Sequence, residues 1–535
     1  MTRRLILLGA ISLAAVKGNA QVRPGPATRI ATAIQPATFE SHLHFLSDDL
    51  LEGRAPGTRG GRLAGIYIAA QFESMGLTPA GKNGGWFQPF DIEASRIVRS
   101  ELTAGGERFA PGRDQALLIV GSDTLREYQG RLVFVGYGVV APEYQWDDYK
   151  DVDVRGKLVV AIAGHPGQVD STIFTGSGSY GTRSFKTLEA IRHGAIGALV
   201  IHRPAETGYA WSSIARNWFS EDFALAERDT MPAGRPGISG WIRDSTGARL
   251  MTLAGLDLPS LVRQSARRDF RPLLMGIEVH AATSVKYRTI HARNVAGLWP
   301  GQGAGGRDAV VLGAHYDHLG IGPAVNGDSI YNGAEDNATG VAGVLAIADA
   351  FAHTRVVMPR SVLFIAFDAE EVGLLGSEAY VKSPLIPLEH TAAMLNVDGV
   401  NPFSRTTDTW ALGMEYSELE SVFRRAAKAE GLAVKIGATE LQFIEDQHFF
   451  TRSDHYSFAR AGVPALFLGG GYTAVGKPGD WMQQKLEEYL STRYHRPGDE
   501  VLDWYSFEGG IIDLRILARA LYAVAVTPRA PQWRA

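Results

Sequence analysis

Five short motifs in the C-terminal half combine carboxylates with imidazoles: His315-Tyr316-Asp317, Asp336-Asn337, Glu370-Glu371, Asp398 in Asn396-Val397-Asp398, and His495 in Tyr494-His495-Arg496-Pro497. These side chains are the donors that hold first-row metal ions. The chain has no cysteine, which excludes disulfides, thiolate–zinc sites and a cysteine nucleophile. Any metal must therefore be held mainly by His, Asp and Glu. Two cations a few ångströms apart need one carboxylate to bridge them and terminal ligands on each side. Asp336 suits the bridge, His315 and Asp398 complete one ion, and Glu371 and His495 complete the other. Nitrogen and oxygen donors of this kind suit two zinc ions, with cobalt or manganese also compatible. Adjacent glutamates diverge from one backbone, so Glu371 is assigned as a ligand and Glu370 as the general base. Asp317, two residues after His315, is placed to accept a hydrogen bond from the free nitrogen of that imidazole. Nothing in the sequence positions His318 or His390.

These residues need a scaffold that brings distant segments together. Val310-Val311-Leu312 precedes His315, the apolar run 361–367 precedes the two glutamates, and the run 392–395 precedes Asp398. A parallel sheet delivers side chains to a crevice at the carboxyl ends of its strands. An Ala-rich helix is expected over 340–351, between the first two strands. The fold class is therefore α/β, a mostly parallel central sheet with helices on both faces. Asp336 lies in the small-residue loop 333–340, where backbone can come close to an ion.

At 535 residues the chain is too long for one ordinary core, and two or three domains are expected. Residues 21–36 read as a loose lead-in. Helices are expected over 40–51 and 62–75, with a Gly/Pro loop at 52–57 between them. From residue 131 a smaller α/β module is expected, with strands over 132–135, 158–161 and 198–201 and a helix over 184–193. Residues 204–229 have no clear period and read as loop. At the N-terminus, Arg3 and Arg4 precede an apolar run over 5–16, and Gly18-Asn19-Ala20 supplies small residues at a cleavage site. Residues 1–20 therefore read as a secretory signal peptide, and the protein is expected in the periplasm or outside the cell. The apolar run is too short to span a bilayer, no other segment is long enough, and no cysteine follows for a lipid anchor. A net charge of −4 and no basic stripe give no reason to expect a nucleic-acid partner.

The segments Gly313-Ala314-His315-Tyr316-Asp317-His318, Asn332-Gly333-Ala334-Glu335-Asp336-Asn337 and Asp368-Ala369-Glu370-Glu371-Val372-Gly373-Leu374-Leu375-Gly376-Ser377 together resemble metallopeptidase family 28. This is the family of co-catalytic di-zinc aminopeptidases and glutamate carboxypeptidase relatives. The likeness runs from about residue 292 to the C-terminus. Gly136-Tyr137-Gly138 and the run 144–149 resemble a protease-associated domain inserted into such a fold, and Leu51-Glu52-Gly53-Arg54 resembles the family's N-terminal portion. The resemblance implies a zinc-exopeptidase-like fold in which 21–130 begins the peptidase domain, 131–285 is the insert and 286–535 carries the di-zinc centre. It carries over the five ligands, Glu370 as base and Asp317 as support. Arg452-Ser453-Asp454-His455 resembles a segment near the substrate pocket of relatives with this insert, which makes Arg452, Asp454 and His455 candidate substrate-binding residues. The activity implied is hydrolysis of N-terminal peptide bonds in peptide or protein substrates. Rival readings are a carboxypeptidase, which needs cations for a terminal carboxylate, a single-zinc glutaminyl cyclase, and a receptor-like binding protein that has lost its ligands. All five ligands are present here, which disfavours the last two.

Overall fold

The structure, a computed structural model, describes residues 24–534 other than 121–123, 170, 172–173, 175–177, 227–236, 436–440, 442 and 445–448. The expected signal peptide, 1–20, lies outside the described residues.

Four parallel strands make the heart of the C-terminal half: Ala309–His315, Ser361–Phe367, Thr391–Val397 and Ala465–Gly470. Every residue of the first three is buried, as expected for strands covered on both faces. In space the order is 465–470, 391–397, 309–315, 361–367. The chain passes from 309–315 to one side and then crosses back to 391–397. The winding direction therefore reverses between the strands ending at His315 and Val397, and a crevice opens there.

Alternating side chains of these strands feed two cores. On one face, Val310, Leu312, Phe364 and Leu395 pack against the helices Thr339–Thr354, Glu508–Val526 and Arg59–Ser74. On the other, Val311, Leu363, Ile365 and Met394 pack against Tyr380 of Leu375–Lys382 and Phe458 of His455–Arg460. No helix among the described residues is long and apolar enough to cross a membrane.

Two long antiparallel strands, Phe87–Ala104 and Leu273–Trp299, carry the same sheet on into a second module. Val295 to Trp299 pair with 361–367, while the other end of the same strand pairs with Leu125–Phe134. Beyond it lie the parallel strands Leu158–Ile162, Gly197–His202 and Gly237–Arg243, closed by antiparallel Gln115–Val120. The strand Leu273–Trp299 runs unbroken through residue 285, and the core of this second module includes Leu102, Phe109 and Leu117, which precede residue 131.

Three local expectations are corrected. The lead-in over 21–36 contains the helix Pro26–Ala33, whose Ile30 joins the core beside Glu508–Val526. Docking supplies what an eight-residue segment cannot supply alone. The helix expected over 40–51 runs Pro36–Leu46 instead, with proline in its first turn. It is followed by the tight segment Asp49–Arg54, where Asp48 accepts a bond from the Leu50 N–H (2.9 Å). Residues 204–229 hold the helix Trp211–Phe219 and the strand Asp222–Leu225, which pairs with Phe87–Ala104. The Trp211 and Trp218 indoles donate to the carbonyls of Gly112 and Leu117, so tertiary bonds rather than local period shape this stretch.

Candidate active site

His315 ends its strand at the crevice, fully buried. Its Nε2 lies 3.1 Å from Asp398 Oδ1, 3.2 Å from Asp336 Oδ1 and 3.9 Å from Glu370 Oε2. The other oxygen of Asp336, Oδ2, is 3.3 Å from His495 Nε2, which is in turn 2.9 Å from Glu371 Oε2. The Asp336 carboxylate thus stands between two imidazoles brought from segments far apart in the chain. The five residues expected to hold metal, together with Glu370, meet at this one place.

The loops that carry them are tied by side chains. Asp499 is buried and accepts the backbone N–H groups of Glu335 (3.0 Å) and Asp336 (3.1 Å). Asn337 donates from Nδ2 to the Val397 carbonyl (2.9 Å), and its Oδ1 accepts from the N–H groups of Gly340 (2.9 Å) and Gly399 (3.0 Å). One amide therefore couples the loop of Asp336 to that of Asp398. A Cβ at Gly340 would lie 2.0 Å from Asn337 Oδ1 and 2.6 Å from the Val397 carbonyl, so only glycine fits at this close approach. The His495 ring stacks on Tyr494, with centroids 3.8 Å apart.

Asp317 takes a different part from the one expected. His315 Nδ1 faces the main-chain carbonyl of Asp317 at 3.2 Å, whereas the carboxylate is 3.8 Å away. That carboxylate instead accepts the backbone N–H groups of Glu370 (3.0 Å) and Glu371 (3.3 Å). Two N–H groups of one turn can converge on a carboxylate from below, and the short His-x-Asp spacing leaves the nearer carbonyl to the imidazole.

His318, for which the sequence offered no role, is fully buried with Nδ1 2.5 Å from Glu371 Oε1. Of the candidate substrate residues, Arg452 lines the crevice. It donates to the Tyr494 hydroxyl (2.9 Å), with its guanidinium over the rings of Phe449 and Tyr494. Asp454 and His455 are fully buried and do not form the crevice wall. His455 packs between Phe450 and Phe467, and burial lowers its ring to about 3. Burial raises the Asp454 carboxyl to about 7. The segment folds into the first turn of His455–Arg460, which turns these two side chains inward.

Crowded buried acids dominate the electrostatics. Burial raises Glu370 well above the ordinary glutamate range, and the nearby charges of Asp398 and Glu371 push the same way. Burial opposes charge on His495, but the adjoining carboxylates of Asp336 and Glu371 outweigh it and lift the ring to about 10. Among the described residues, two groups of side chains could each hold a cation: His315, Glu370 and Asp398, and His318, Asp336 and Glu371. The fit to metal has a second mark. Among the described residues, His495 Nε2, Glu371 Oε1 and both ring nitrogens of His318 find no well-directed hydrogen bond and are shielded from solvent. Buried polar atoms left in that state are costly unless something else pairs with them. A hard-to-borderline cation with oxygen and nitrogen donors answers that need, and zinc is the ion that this donor set suits. The crevice beside these residues encloses about 410 Å³ and is walled by Trp410, Ile444, Phe467, Met482 and Leu486.

Residues 294–507 match the model of Peptidase family M28. The chain is 27% identical over 239 residues to leucine aminopeptidase 2 of Trichophyton rubrum, covering 42% of this chain and 43% of that protein. It is 28% identical over 244 residues to a probable zinc metalloprotease of Pyrenophora tritici-repentis, covering 41% and 54%. The chain thus spans about half the length, or less, of these curated relatives. Among solved structures, it is similar in fold to an aminopeptidase from Aneurinibacillus sp. strain AM-1. That likeness covers 94% of this chain and 97% of the other, with a TM-score of 0.53 at 20% identity.

Proposed function

We propose that the chain, whose residues 294–507 match the model of Peptidase family M28, is a zinc-dependent aminopeptidase of that family, exported from the cytoplasm, that cleaves N-terminal peptide bonds. The observation that carries this reading is the Asp336 carboxylate, 3.2 Å from His315 and 3.3 Å from His495. In this reading Asp336, His315, Asp398, Glu371 and His495 would hold two zinc ions, with Asp336 placed between the His315–Asp398 pair and the Glu371–His495 pair. When bound, such ions polarise the scissile carbonyl and lower the pKa of the attacking water.

The chain's own residues do the rest. Glu370 takes the proton of the water at its carboxylate and returns it to the leaving nitrogen. Asp317 positions Glu370 and Glu371 through their backbone N–H groups. The apolar wall around Trp410 and Phe467 excludes water and suits an apolar side chain beside the scissile bond. We read 131–285 as a protease-associated-like insert, 21–130 as the start of the peptidase domain, and 1–20 as a signal peptide. The N-terminus of protein recovered from outside the cytoplasm should then be Gln21.

A second reading, a glutamate-carboxypeptidase-like hydrolase, is favoured by one observation: Arg452 offers a cation on the crevice wall. Assays on amino-acid anilides against peptides ending in glutamate separate the two. Glu370→Gln should lower kcat by about 10²–10⁴-fold while zinc content stays unchanged. Near-wild-type turnover in that variant would remove Glu370 from the role of base.

A further inference from the structure

Arg54 is among the largest fully buried side chains of the molecule, at 1% exposure. Among the described residues, no carboxylate lies within ion-pair distance of it. Its guanidinium spends its donors on main-chain carbonyls instead. Nε donates to Tyr316 O (2.8 Å), Nη2 to Gly333 O (2.9 Å), and Nη1 to Asn332 O and Leu46 O. Tyr316 sits between His315 and Asp317. Asn332 and Gly333 begin the loop that carries Asp336. One planar fork therefore joins the end of the helix Pro36–Leu46 to both ligand-bearing loops. A rigid guanidinium can span such a set, whereas an ammonium group cannot.

The backbone that delivers it is unusual. Glu52, Gly53 and Arg54 all have left-handed φ values, of 52°, 66° and 53°. A Cβ at Gly53 would lie 2.3 Å from Tyr331 O and 2.7 Å from Gly320 O. Consecutive residues held in this region persist only where the surroundings impose them. A buried charge also needs compensation. The acids whose charge acts on Arg54 are Asp317, Asp499, Asp336 and Glu371, all in the crevice or directly behind it.

We propose that Arg54 is a positioning residue of the metal centre: it sets the spacing of the His315 and Asp336 loops and offsets their negative charge, so that the N-terminal arm forms part of the site. This rests on the ligand assignment of the preceding section. The test compares wild type, Arg54→Lys, Arg54→Met and Gly53→Ala for zinc affinity by chelator competition, kcat and KM, and thermal midpoint. Arg54→Lys keeps the charge but loses the span, and zinc affinity should fall about 10-fold. Arg54→Met loses every bond of the fork, and the fall should approach about 100-fold. Gly53→Ala keeps the guanidinium but displaces its backbone, and should resemble Arg54→Lys. In each, kcat should drop more than KM rises. A merely structural role would lower the thermal midpoint while the folded variants kept wild-type zinc affinity and kcat, and that result overturns the proposal. If Arg54→Met does not fold, Arg54→Lys decides by the same criterion. A wild-type protein that binds no zinc would instead overturn the ligand assignment itself.

Discussion

Asp317 accepts two backbone N–H groups, from Glu370 at 3.0 Å and Glu371 at 3.3 Å, and so fixes the turn from which the two glutamates diverge. Asp317→Ala would leave two buried N–H groups unpaired, each at about 1–3 kcal/mol. Zinc affinity should fall about 10–100-fold, the range for residues that orient metal ligands. Asp317→Asn keeps one acceptor and should lie between Asp317→Ala and wild type. Chelator competition on the folded variants checks this, and equal affinity in all three would show that the turn holds itself. At this scale the meeting of these side chains at one crevice was legible because carboxylates and imidazoles followed apolar runs at recognisable intervals. The bond partners were not. His318 follows His315 by three residues in a strand exit, and only folding reveals that its ring returns to Glu371. Asp499 is equally silent in sequence, because its bonds go to backbone N–H groups that any residue could present.

Between elements, the side chain of Asn337 does the joining. Its bonds to Val397, Gly340 and Gly399 run from the entry of the helix Thr339–Thr354 to the loop of Asp398. Asn337→Ala removes all of them in a buried setting and should lower stability by about 2–4 kcal/mol at roughly 1 kcal/mol per bond. It should also weaken zinc binding, read by denaturant unfolding and metal content. A loss of stability with unchanged zinc affinity would show that the two loops are held by other contacts.

The helix Pro36–Leu46 carries a pH dependence of its own. His42 is buried with Nδ1 2.8 Å from the Tyr67 hydroxyl, and burial lowers its ring from 6.5 to about 4. The unfolded chain therefore takes up this proton first as pH falls. Stability from this residue is present above pH 6.5, is lost between 6.5 and 4, and levels off below. The loss amounts to about 3 kcal/mol. His42→Phe should flatten the thermal midpoint over that window, and an unchanged slope would refute the assignment. The strands of the central sheet were readable because fully buried parallel strands are continuous apolar runs. The helix Pro26–Ala33 and the segment 204–225 were not, because burial against remote elements makes them regular.

At the scale of the whole molecule, the described residues form one 16-stranded sheet that passes through both modules. Phe87–Ala104 and Leu273–Trp299 pair although far apart in sequence, and no local pattern announces such a pairing. A module expected to start at residue 131 consequently recruits Leu102 and Phe109, which lie earlier in the chain. The proposed metal centre lies in the C-terminal half, and Arg54 reaches its loops from the N-terminal arm. Bound zinc should therefore stabilise the fold as a unit, by about 4 kcal/mol at a free concentration 1,000 times Kd. Chelation should lower the thermal midpoint and abolish peptidase activity together, with both restored by zinc. Anomalous diffraction at the zinc edge from zinc-loaded crystals locates the ions themselves. Two peaks should flank the Asp336 carboxylate, one about 2.0–2.2 Å from His315 and Asp398, the other at the same range from Glu371 and His495. A single peak, or none within reach of Asp336, would contradict the two-ion centre.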